Sequence, residues 1–244
     1  MTQPPTVPTA TLSETPTETH AETPVETHAE TPVETTTGGA PTAVVVRPAT
    51  PADLPAVSAV LATAFAADPV MATFVTGAGD RRPRLEGFFR AVLLAGPARH
   101  GAVDVAVAPD GRVLGAAAWE APGGAGHLLA QARRLPLFLA SLGLRGIRRA
   151  LRNQSVLAGH RPRPAHWYLT AIGVGDGARG LGVGSRLLRA RLAELDARGD
   201  AAYLEASTPR SRALYETFGF RHLAAIGGLG AGVTPSSMWR PASA

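Results

Sequence analysis

The sequence contains no cysteine and no lysine, and each absence excludes a class of chemistry. Without cysteine there is no disulfide, no thiolate nucleophile and no cysteine-ligated zinc or iron–sulfur site. Without lysine, all 24 basic residues are arginine, and a P-loop, which requires Gly-Lys-Ser/Thr, is excluded. The arginine bias, with 27 glycines and 21 prolines, is typical of a GC-rich bacterial genome and carries no mechanistic weight.

Long uninterrupted hydrophobic runs are also missing. The most apolar region, residues 128–144, is broken by Arg133 and Arg134 and is too charged to span a bilayer. The first residues are rich in Thr, Pro and Glu and lack the basic start and apolar run of a secretory signal. These features predict a cytoplasmic protein that has no membrane partner.

Acidic residues are concentrated near the N-terminus. Residues 1–42 hold six glutamates and no arginine, so their net charge of −6 leaves +11 on the rest of a chain whose formal charge is +5. An eight-residue unit beginning Glu-Thr-Pro recurs at Glu14, Glu22 and Glu30, and it has too little apolar surface to offset its ordering entropy. We therefore predict a disordered acidic tail over residues 1–42 and one folded domain over residues 43–240.

The basic domain is expected to have an anionic partner, and nucleic acid, anionic lipid or a phosphate-rich cofactor would each suit its charge. Six arginines cluster in residues 126–158, where Phe138 is the only aromatic residue among them. Single-stranded nucleic-acid sites use several stacking residues. A helical cover with a solvated arginine face is therefore the preferred interpretation, and we expect no nucleic-acid partner.

Apolar periodicity and turn residues predict alternating strands and helices from residue 43 onwards. Strands are predicted at 43–47, 102–108, 112–120, 167–174, 201–206, 222–227 and 236–240. Helices are predicted at 50–66, 82–94, 126–158 with an interruption at Pro136, 182–197, and 210–218 with Gly219 as a left-handed cap. The chain is therefore of the α/β class in mixed order.

A glycine-rich turn joins the strand at 167–174 to the following helix. Such a turn leaves amide groups unpaired at the positive end of the helix dipole, where a phosphate fits. Glycine lets the backbone approach the anion closely, while Ser185 adds a hydroxyl and Arg179 a charge. The glycines are Gly180, Gly182 and Gly184.

The spacing excludes the dinucleotide fingerprint G-x-G-x-x-G at this turn. Read from Gly180, the last glycine would have to stand at Ser185, and read from Gly182, it would have to stand at Leu187. The pattern that fits is Arg-x-x-Gly-x-Gly over residues 179–184.

This pattern resembles the acetyl-CoA signature of the GNAT acetyltransferases. The segment from Tyr215 to Phe220, Tyr-Glu-x-x-Gly-Phe, looks like the family's segment after the fifth strand. The likeness runs from about residue 43 to 240. Over residues 160–220 it is closer to the puromycin N-acetyltransferase-like branch, on the segments His160-Arg161-Pro162, Trp167-Tyr168-Leu169 and Tyr203-Leu204-Glu205-Ala206-Ser207. It implies a GNAT fold: a central mixed, mostly antiparallel sheet of six to seven strands flanked by helices, with a helical insertion before the fourth strand.

The resemblance implies acetyl-CoA as cosubstrate and no metal. The fourth and fifth strands are expected to splay apart and admit the pantetheine arm, which would pair with the backbone of the fourth strand. The residues expected to contact the cofactor are Ile172, Gly173, Val174, Arg179, Gly180, Gly182, Val183, Gly184, Ser185 and Ser211. Ser211 stands where the family commonly has Asn, so its contact is expected to be shorter or water-bridged.

By the same resemblance Tyr215 is the general acid for the departing CoA thiolate, since a phenol of pKa ~10 can donate to a thiolate whose thiol has pKa ~8.5. Its alternative role is packing. The acceptor amine must lose a proton, and Glu120 and Glu205 are the candidate bases because partial burial would raise their pKa. Either could instead form a charge pair. Glu205 is preferred because its strand borders the reaction centre, while His160 and His166 are weaker candidates.

We therefore expect an N-acetyltransferase that acts on a small-molecule amine, such as an aminonucleoside or another antibiotic, as a monomer or homodimer. Three alternatives stay open. They are a protein or peptide N-acetyltransferase, a non-catalytic acyl-CoA-binding module, and a nucleic-acid-binding protein that uses the arginine-rich insertion.

Overall fold

The computed structural model describes residues 44–77, 80–123, 132–230 and 232–243. One sheet has the strand order β1-β2-β3-β4-β5-β7-β6. Its strands are β1 Val45–Pro48, β2 Gly101–Val107, β3 Val113–Glu120, β4 Trp167–Val174, β5 Ala202–Ala206, β6 Arg221–Ala225 and β7 Ser236–Arg240. All neighbouring strands are antiparallel except β4 and β5, which are parallel. The predicted fold class is confirmed.

Helices cover both faces of this sheet. They are α1 Leu54–Ala64, α2 Pro69–Phe74, α3 Arg82–Ala95, α4 Pro97–His100, α5 Leu135–Gly159, α6 Val183–Arg198 and α7 Pro209–Glu216. Helices α1, α3 and α5 pack around one apolar core, which includes the inward side chains of β2 and the phenylalanines of α3. Helix α6 packs on the other face over a second core. The helical insertion predicted before the fourth strand is α5.

Two glycines let helices approach the sheet closely from opposite sides. A Cβ on Gly173 of β4 would lie 2.7 Å from the Cβ of Ala64 in α1. A Cβ on Gly115 of β3 would lie 2.8 Å from Cγ1 of Val183, the first residue of α6. Any side chain at either position would overpack the interface. Gly173 therefore allows α1 to lie close to β4, and Gly115 allows the start of α6 to lie close to β3.

A buried ion pair joins α6 to β2. Arg191 Nε donates to Asp104 Oδ2 at 2.9 Å and Nη2 donates to Oδ1 at 2.5 Å. Both side chains are more than nine-tenths buried. This two-point contact fixes the rotation of α6 against the sheet, and therefore fixes where the glycine turn at its N-terminus points.

Most predicted elements match the observed ones to within one to four residues, but three differences stand out. Helices α2 and α4 were not predicted, since both are only one to two turns long and begin at a proline. The predicted interruption of the insertion at Pro136 is wrong: Pro136 lies in the first turn of α5, where its missing N–H has no helical partner to lose. The break lies at Gly143, whose φ of 65° is left-handed.

The predicted acidic tail, residues 1–42, lies outside the described residues, and so does the start of the predicted insertion at residues 126–131. Within the described ranges, no helix is long and apolar enough to cross a membrane.

Candidate active site

The glycine turn lies between β4 and α6, as predicted. A single 3-10 turn, Asp176–Ala178, follows β4, and α6 begins at Val183 after two glycines with left-handed φ, 82° at Gly180 and 70° at Gly182. Gly182 is the N-cap and has no side chain that could satisfy the first amides of α6. Those amides have no intrahelical acceptor. The turn therefore presents unpaired N–H groups and a helix dipole, which is the arrangement that binds a phosphate.

The charged side chain of this turn is already paired. Arg179 Nη2 lies 3.0 Å from Asp176 Oδ1, and both side chains are more than half exposed. An exposed pair of this kind contributes at most about 1 kcal/mol, so Arg179 can exchange Asp176 for a bound anion at little cost. Ser211, the other predicted polar contact, uses its hydroxyl at the start of α7, where Oγ donates to the Thr208 carbonyl at 2.9 Å.

Strands β4 and β5 separate over most of their length. They pair at Trp167 with Ala202 and at Tyr168 with Tyr203, and no further register pairs join them in the described chain. Beyond that point one edge of β4 pairs with β3, as at Ile172 with Ala117, and the other edge faces the gap. The expected splay between the fourth and fifth strands is therefore present.

An irregularity in β4 marks the start of the gap. The β3 register moves from Ala118 opposite Ala171 to Trp119 opposite Leu169, which leaves Thr170 as the extra residue of a β-bulge. The Thr170 hydroxyl is buried and has no hydrogen-bond partner among the described residues. A bulge re-aims the side chains around it, and here Thr170 lines a cavity that opens at the gap.

This cavity has a volume of about 400 Å³, within the usual range for a small-molecule site. One wall is formed by the sheet, including Thr170, Ile172, Leu204 and Glu205, with Tyr215 beside them. The opposite walls come from α2, α3 and α5. All three predicted catalytic residues, Tyr215, Glu205 and Glu120, line it, so the fold brings them into one site.

A buried polar group lies at the sheet side of the cavity. Tyr168 Oη donates to Glu205 Oε2 at 2.5 Å. Arg161 stacks over the Tyr168 ring, with its guanidinium carbon 3.7 Å from the ring centroid. The same guanidinium lies between two carboxylates, 3.8 Å from Glu205 and 4.0 Å from Glu120. The two carboxylates are thus held at one site by one shared cation.

Burial is the largest influence on the Glu205 carboxyl and raises its pKa above the ordinary value. The Arg161 charge and the hydrogen bond from Tyr168 oppose this shift without cancelling it. Glu205 Oε1 is buried and accepts no hydrogen bond in the described part of the chain. This oxygen lies 3.8 Å from Arg161 Nε, in an ion pair without a hydrogen bond. A carboxylate with a raised pKa that lines a cavity and keeps hydrogen-bonding capacity suits a general base.

Tyr215 lies on α7, and its ring packs edge-on to Phe220 at 6.0 Å between centroids. Burial, and to a smaller degree the nearby Asp68 carboxylate, raises the pKa of its phenol. The shift keeps the hydroxyl protonated, as a general acid requires, but it also makes the phenol a weaker donor. Asp68 itself caps α2 and accepts a 2.5 Å hydrogen bond from Ser207 Oγ, which ties α2 to the chain after β5.

Tyr168 and Arg161 were not predicted from the sequence as residues of the site. Tyr168 lies on the same face of β4 as Thr170 and Ile172. The two-residue alternation of a strand could therefore have predicted that Tyr168 faces the site. Arg161 lies in a loop, and no local pattern indicates which carboxylate it meets. The weaker candidates His160 and His166 hydrogen-bond to nearby backbone carbonyls, 2.9 Å to Val156 and 2.7 Å to Pro164. The His166 ring also packs edge-on against Tyr203 and Trp239, and neither histidine is among the residues that line the cavity.

Residues 139–220, which span α5 through α7, match the model of the Acetyltransferase (GNAT) family. A solved structure described as histone acetyltransferase HPA2 and related acetyltransferase, from Corynebacterium glutamicum, is 29% identical with a TM-score of 0.65. The match covers 82% of this chain and 97% of that one.

Two more distant structures share the fold. Arylalkylamine N-acetyltransferase 2 from Aedes aegypti is 16% identical, with a TM-score of 0.55, over 81% of this chain and 98% of that one. The ribosomal-protein-S18-alanine N-acetyltransferase from Escherichia coli is 17% identical, with a TM-score of 0.50, over 83% of this chain and 96% of that one. The matched segment contains the splayed strands and the glycine turn. This similarity and the shared fold indicate an acetyltransferase of the GNAT type, a family that uses acetyl-CoA.

Proposed function

We propose that this acetyltransferase transfers the acetyl group of acetyl-CoA to the amine of a small molecule. One observation carries the proposal: a single cavity of about 400 Å³ joins the β4–β5 gap to a buried carboxylate and continues between the sheet and α5. A chamber of this size, bounded on opposite sides, suits a small acceptor.

The glycine turn binds the pyrophosphate of the cofactor, and the β4–β5 gap binds its pantetheine arm. The amides of residues 180–185 hold the pyrophosphate, with Arg179 released from Asp176 to add charge. The pantetheine arm lies in the gap and pairs with the free backbone edge of Ile172 and Val174. Gly173 contributes backbone only, since its side-chain position is filled by α1. The thioester then lies at the mouth of the cavity beside Tyr215.

The transfer is a direct attack on the thioester. The neutral amine nitrogen bonds to the carbonyl carbon while its proton passes to Glu205, directly or through water. The carbon–sulfur bond breaks, and Tyr215 returns a proton to the CoA thiolate. The products are the acetamide and free CoA thiol, with Glu205 and Tyr215 restored by exchange with solvent.

Glu120 is the second candidate for the base. It shares Arg161 with Glu205 but is less deeply buried, with 20% of its side chain exposed against 8% for Glu205. Tyr168 donates to Glu205 Oε2, while Oε1 accepts no hydrogen bond among the described residues and lies 3.8 Å from Arg161 Nε, so Oε1 can accept the amine proton. These contacts favour Glu205 as the base and assign Glu120 to binding the ammonium form of the acceptor.

A protein acceptor is the second candidate function, and the name of the Corynebacterium glutamicum structure favours it. The puromycin-acetylating branch stays a sequence-based prediction for the small-molecule case. Both are tested by one assay: release of free CoA thiol from acetyl-CoA with a panel of amines that includes puromycin and a lysine-containing peptide. Acetylated small amines with an inert peptide support the proposal, and turnover confined to the peptide would overturn it.

A further inference from the structure

The side chains that line the cavity away from the transfer site are mostly aromatic. Five of the chain's seven phenylalanines line the cavity. They are Phe65, Phe74, Phe88, Phe89 and Phe138. Several of these rings contact one another, with Phe88 at 6.0 Å from Phe138 and at 5.6 Å from Phe89. The rings form a continuous aromatic wall opposite the polar residues of the sheet.

The other end of the cavity is polar and has an excess of acid. Asp68, Glu120 and Glu205 line it together with one cation, Arg161. Besides Arg161 Nε, which lies 3.8 Å from Glu205 Oε1, two buried oxygen atoms there have no hydrogen-bond partner among the described residues, Glu205 Oε1 and Thr170 Oγ1. Buried polar atoms are nearly always satisfied in native proteins, so these two are placed to meet polar atoms of a ligand. An acceptor oxygen among carboxylates selects a cationic donor, such as an ammonium group.

We propose that the acceptor is a primary amine carried on an aromatic or similarly bulky apolar body, with its nitrogen at Glu205 and Thr170 and its ring against Phe88 and Phe138. This inference rests on the proposed function and specifies its acceptor. A hydrophilic polyamine would leave its second charge against the phenylalanine wall, and that burial is strongly unfavourable.

A matched pair of amines tests the inference. Phenethylamine and ethanolamine share an aminoethyl head and differ in a phenyl ring against a hydroxyl. Burying a phenyl group favours binding by roughly 10- to 100-fold. We therefore expect kcat/KM for phenethylamine to exceed that for ethanolamine by about this factor, with spermidine and a lysine-containing peptide no better than ethanolamine.

Two exposed leucines of α5, one lining the cavity and one outside it, provide variants that do not threaten the core. Leu151 lines the cavity but is 64% exposed, and Leu144 on the same helix is 65% exposed and does not line it. Leu151→Gln should lower kcat/KM for phenethylamine several-fold and leave that for ethanolamine unchanged. Leu144→Gln should change neither. Phe138→Ala should shift the preference from phenethylamine towards 2-(1-naphthyl)ethylamine, because removing the Phe138 ring enlarges the cavity.

Two measurements distinguish failure of the inferred acceptor class from failure of the proposed acetyl transfer. Calorimetric titration of both amines into protein with bound CoA measures the cavity without turnover. If phenethylamine binds more tightly than ethanolamine but no amine releases CoA thiol, the proposed function fails and the inferred acceptor site stands. If thiol release proceeds and ethanolamine, spermidine or the peptide equals phenethylamine, the function stands and the inference is overturned. Equal binding of the two amines also overturns it.

Discussion

At the scale of single residues, Tyr215 and Glu205 line the same cavity, and we propose opposite tasks for them, acid and base. Burial raises the pKa of both side chains. For Tyr215 this keeps the proton available for a departing thiolate. For Glu205 it makes the carboxylate a stronger base. The same physical cause therefore suits Tyr215 to the acid role and Glu205 to the base role that we propose.

Tyr215→Phe should lower kcat by about 100-fold, the lower range for a lost general acid. The ring and its contact with Phe220 are kept, so the dissociation constant of acetyl-CoA should stay within about twofold. Steady-state thiol release and calorimetry measure the two quantities. An unchanged kcat would reject Tyr215 as the acid.

Glu205→Gln should lower kcat by at least about 100-fold, whereas Glu120→Gln should act mainly on KM for the amine. The base must be ionised to accept a proton, and burial raises its pKa. Activity of the unmodified protein should therefore fall on acidification at a higher pH than for an ordinary carboxyl, whose pKa is about 4.3. A pH profile of kcat from pH 4 to 9 tests this, and an acid limb that survives in Glu205→Gln would assign it to another group.

How much of the site the sequence reveals depends on whether a residue's role is local. The glycine turn and Tyr215 sit in contiguous motifs, and their positions on the turn and on α7 agree with the structure. The Glu205–Tyr168–Arg161 contact joins three segments, two of them 37 residues apart, so no local pattern shows it. Sequence spacing indicates which strands carry polar residues, and only the register of β4 against β5 brings them together.

At the scale of elements, the turn between β4 and α6 depends on backbone conformation more than on side chains. Gly182 has a φ of 70° with open space around it. A side chain there meets no neighbour, but the left-handed conformation disfavours alanine by roughly 1–2 kcal/mol. The strain acts at the point where the amides face the pyrophosphate.

Gly182→Ala should therefore weaken acetyl-CoA binding by about tenfold, with the apparent affinity for the amine unchanged. Gly111→Ala is the matched control, because Gly111 also has a left-handed φ, 83°, and open space, but lies in the β2–β3 turn. Calorimetry with acetyl-CoA compares the two variants. Equal losses in both, or none in Gly182→Ala, would remove the turn from the cofactor site.

The ends of a helix or strand could be predicted where the element is long enough for its hydrophobic periodicity to be recognised. Strand β4 was predicted to its end residues, because eight residues alternate between buried and half-buried positions. Helices α2 and α4 are too short for a 3.6-residue period to appear. The break at Gly143 was missed because proline was weighted above glycine, although a proline in the first turn does not interrupt a helix.

At the scale of the whole molecule, the site depends on α6 being held against the sheet. The Arg191–Asp104 pair does this across two elements far apart in sequence. Removing the Asp104 charge leaves the buried Arg191 paired only with Glu194, whose side chain is 56% exposed. The loss of a buried partner is far more destabilising than the loss of an exposed pair.

Asp104→Asn should lower the free energy of unfolding by about 3 kcal/mol. The control is Asp110→Asn, whose partner Arg112 lies at 3.6 Å with both side chains about two-thirds exposed, and which should leave stability unchanged within error. Urea denaturation followed by circular dichroism measures both. Equal effects of the two substitutions would show that the buried pair does not anchor α6.

The position of acetyl-CoA tests the central claim most directly, and a crystal structure of the protein with the cofactor bound measures it. We predict the pyrophosphate within hydrogen-bonding distance of the amides of residues 180–185, the pantetheine arm between β4 and β5, and the sulfur beside the Tyr215 hydroxyl. A cofactor bound away from the glycine turn, or a pantetheine arm outside the β4–β5 gap, would contradict the account.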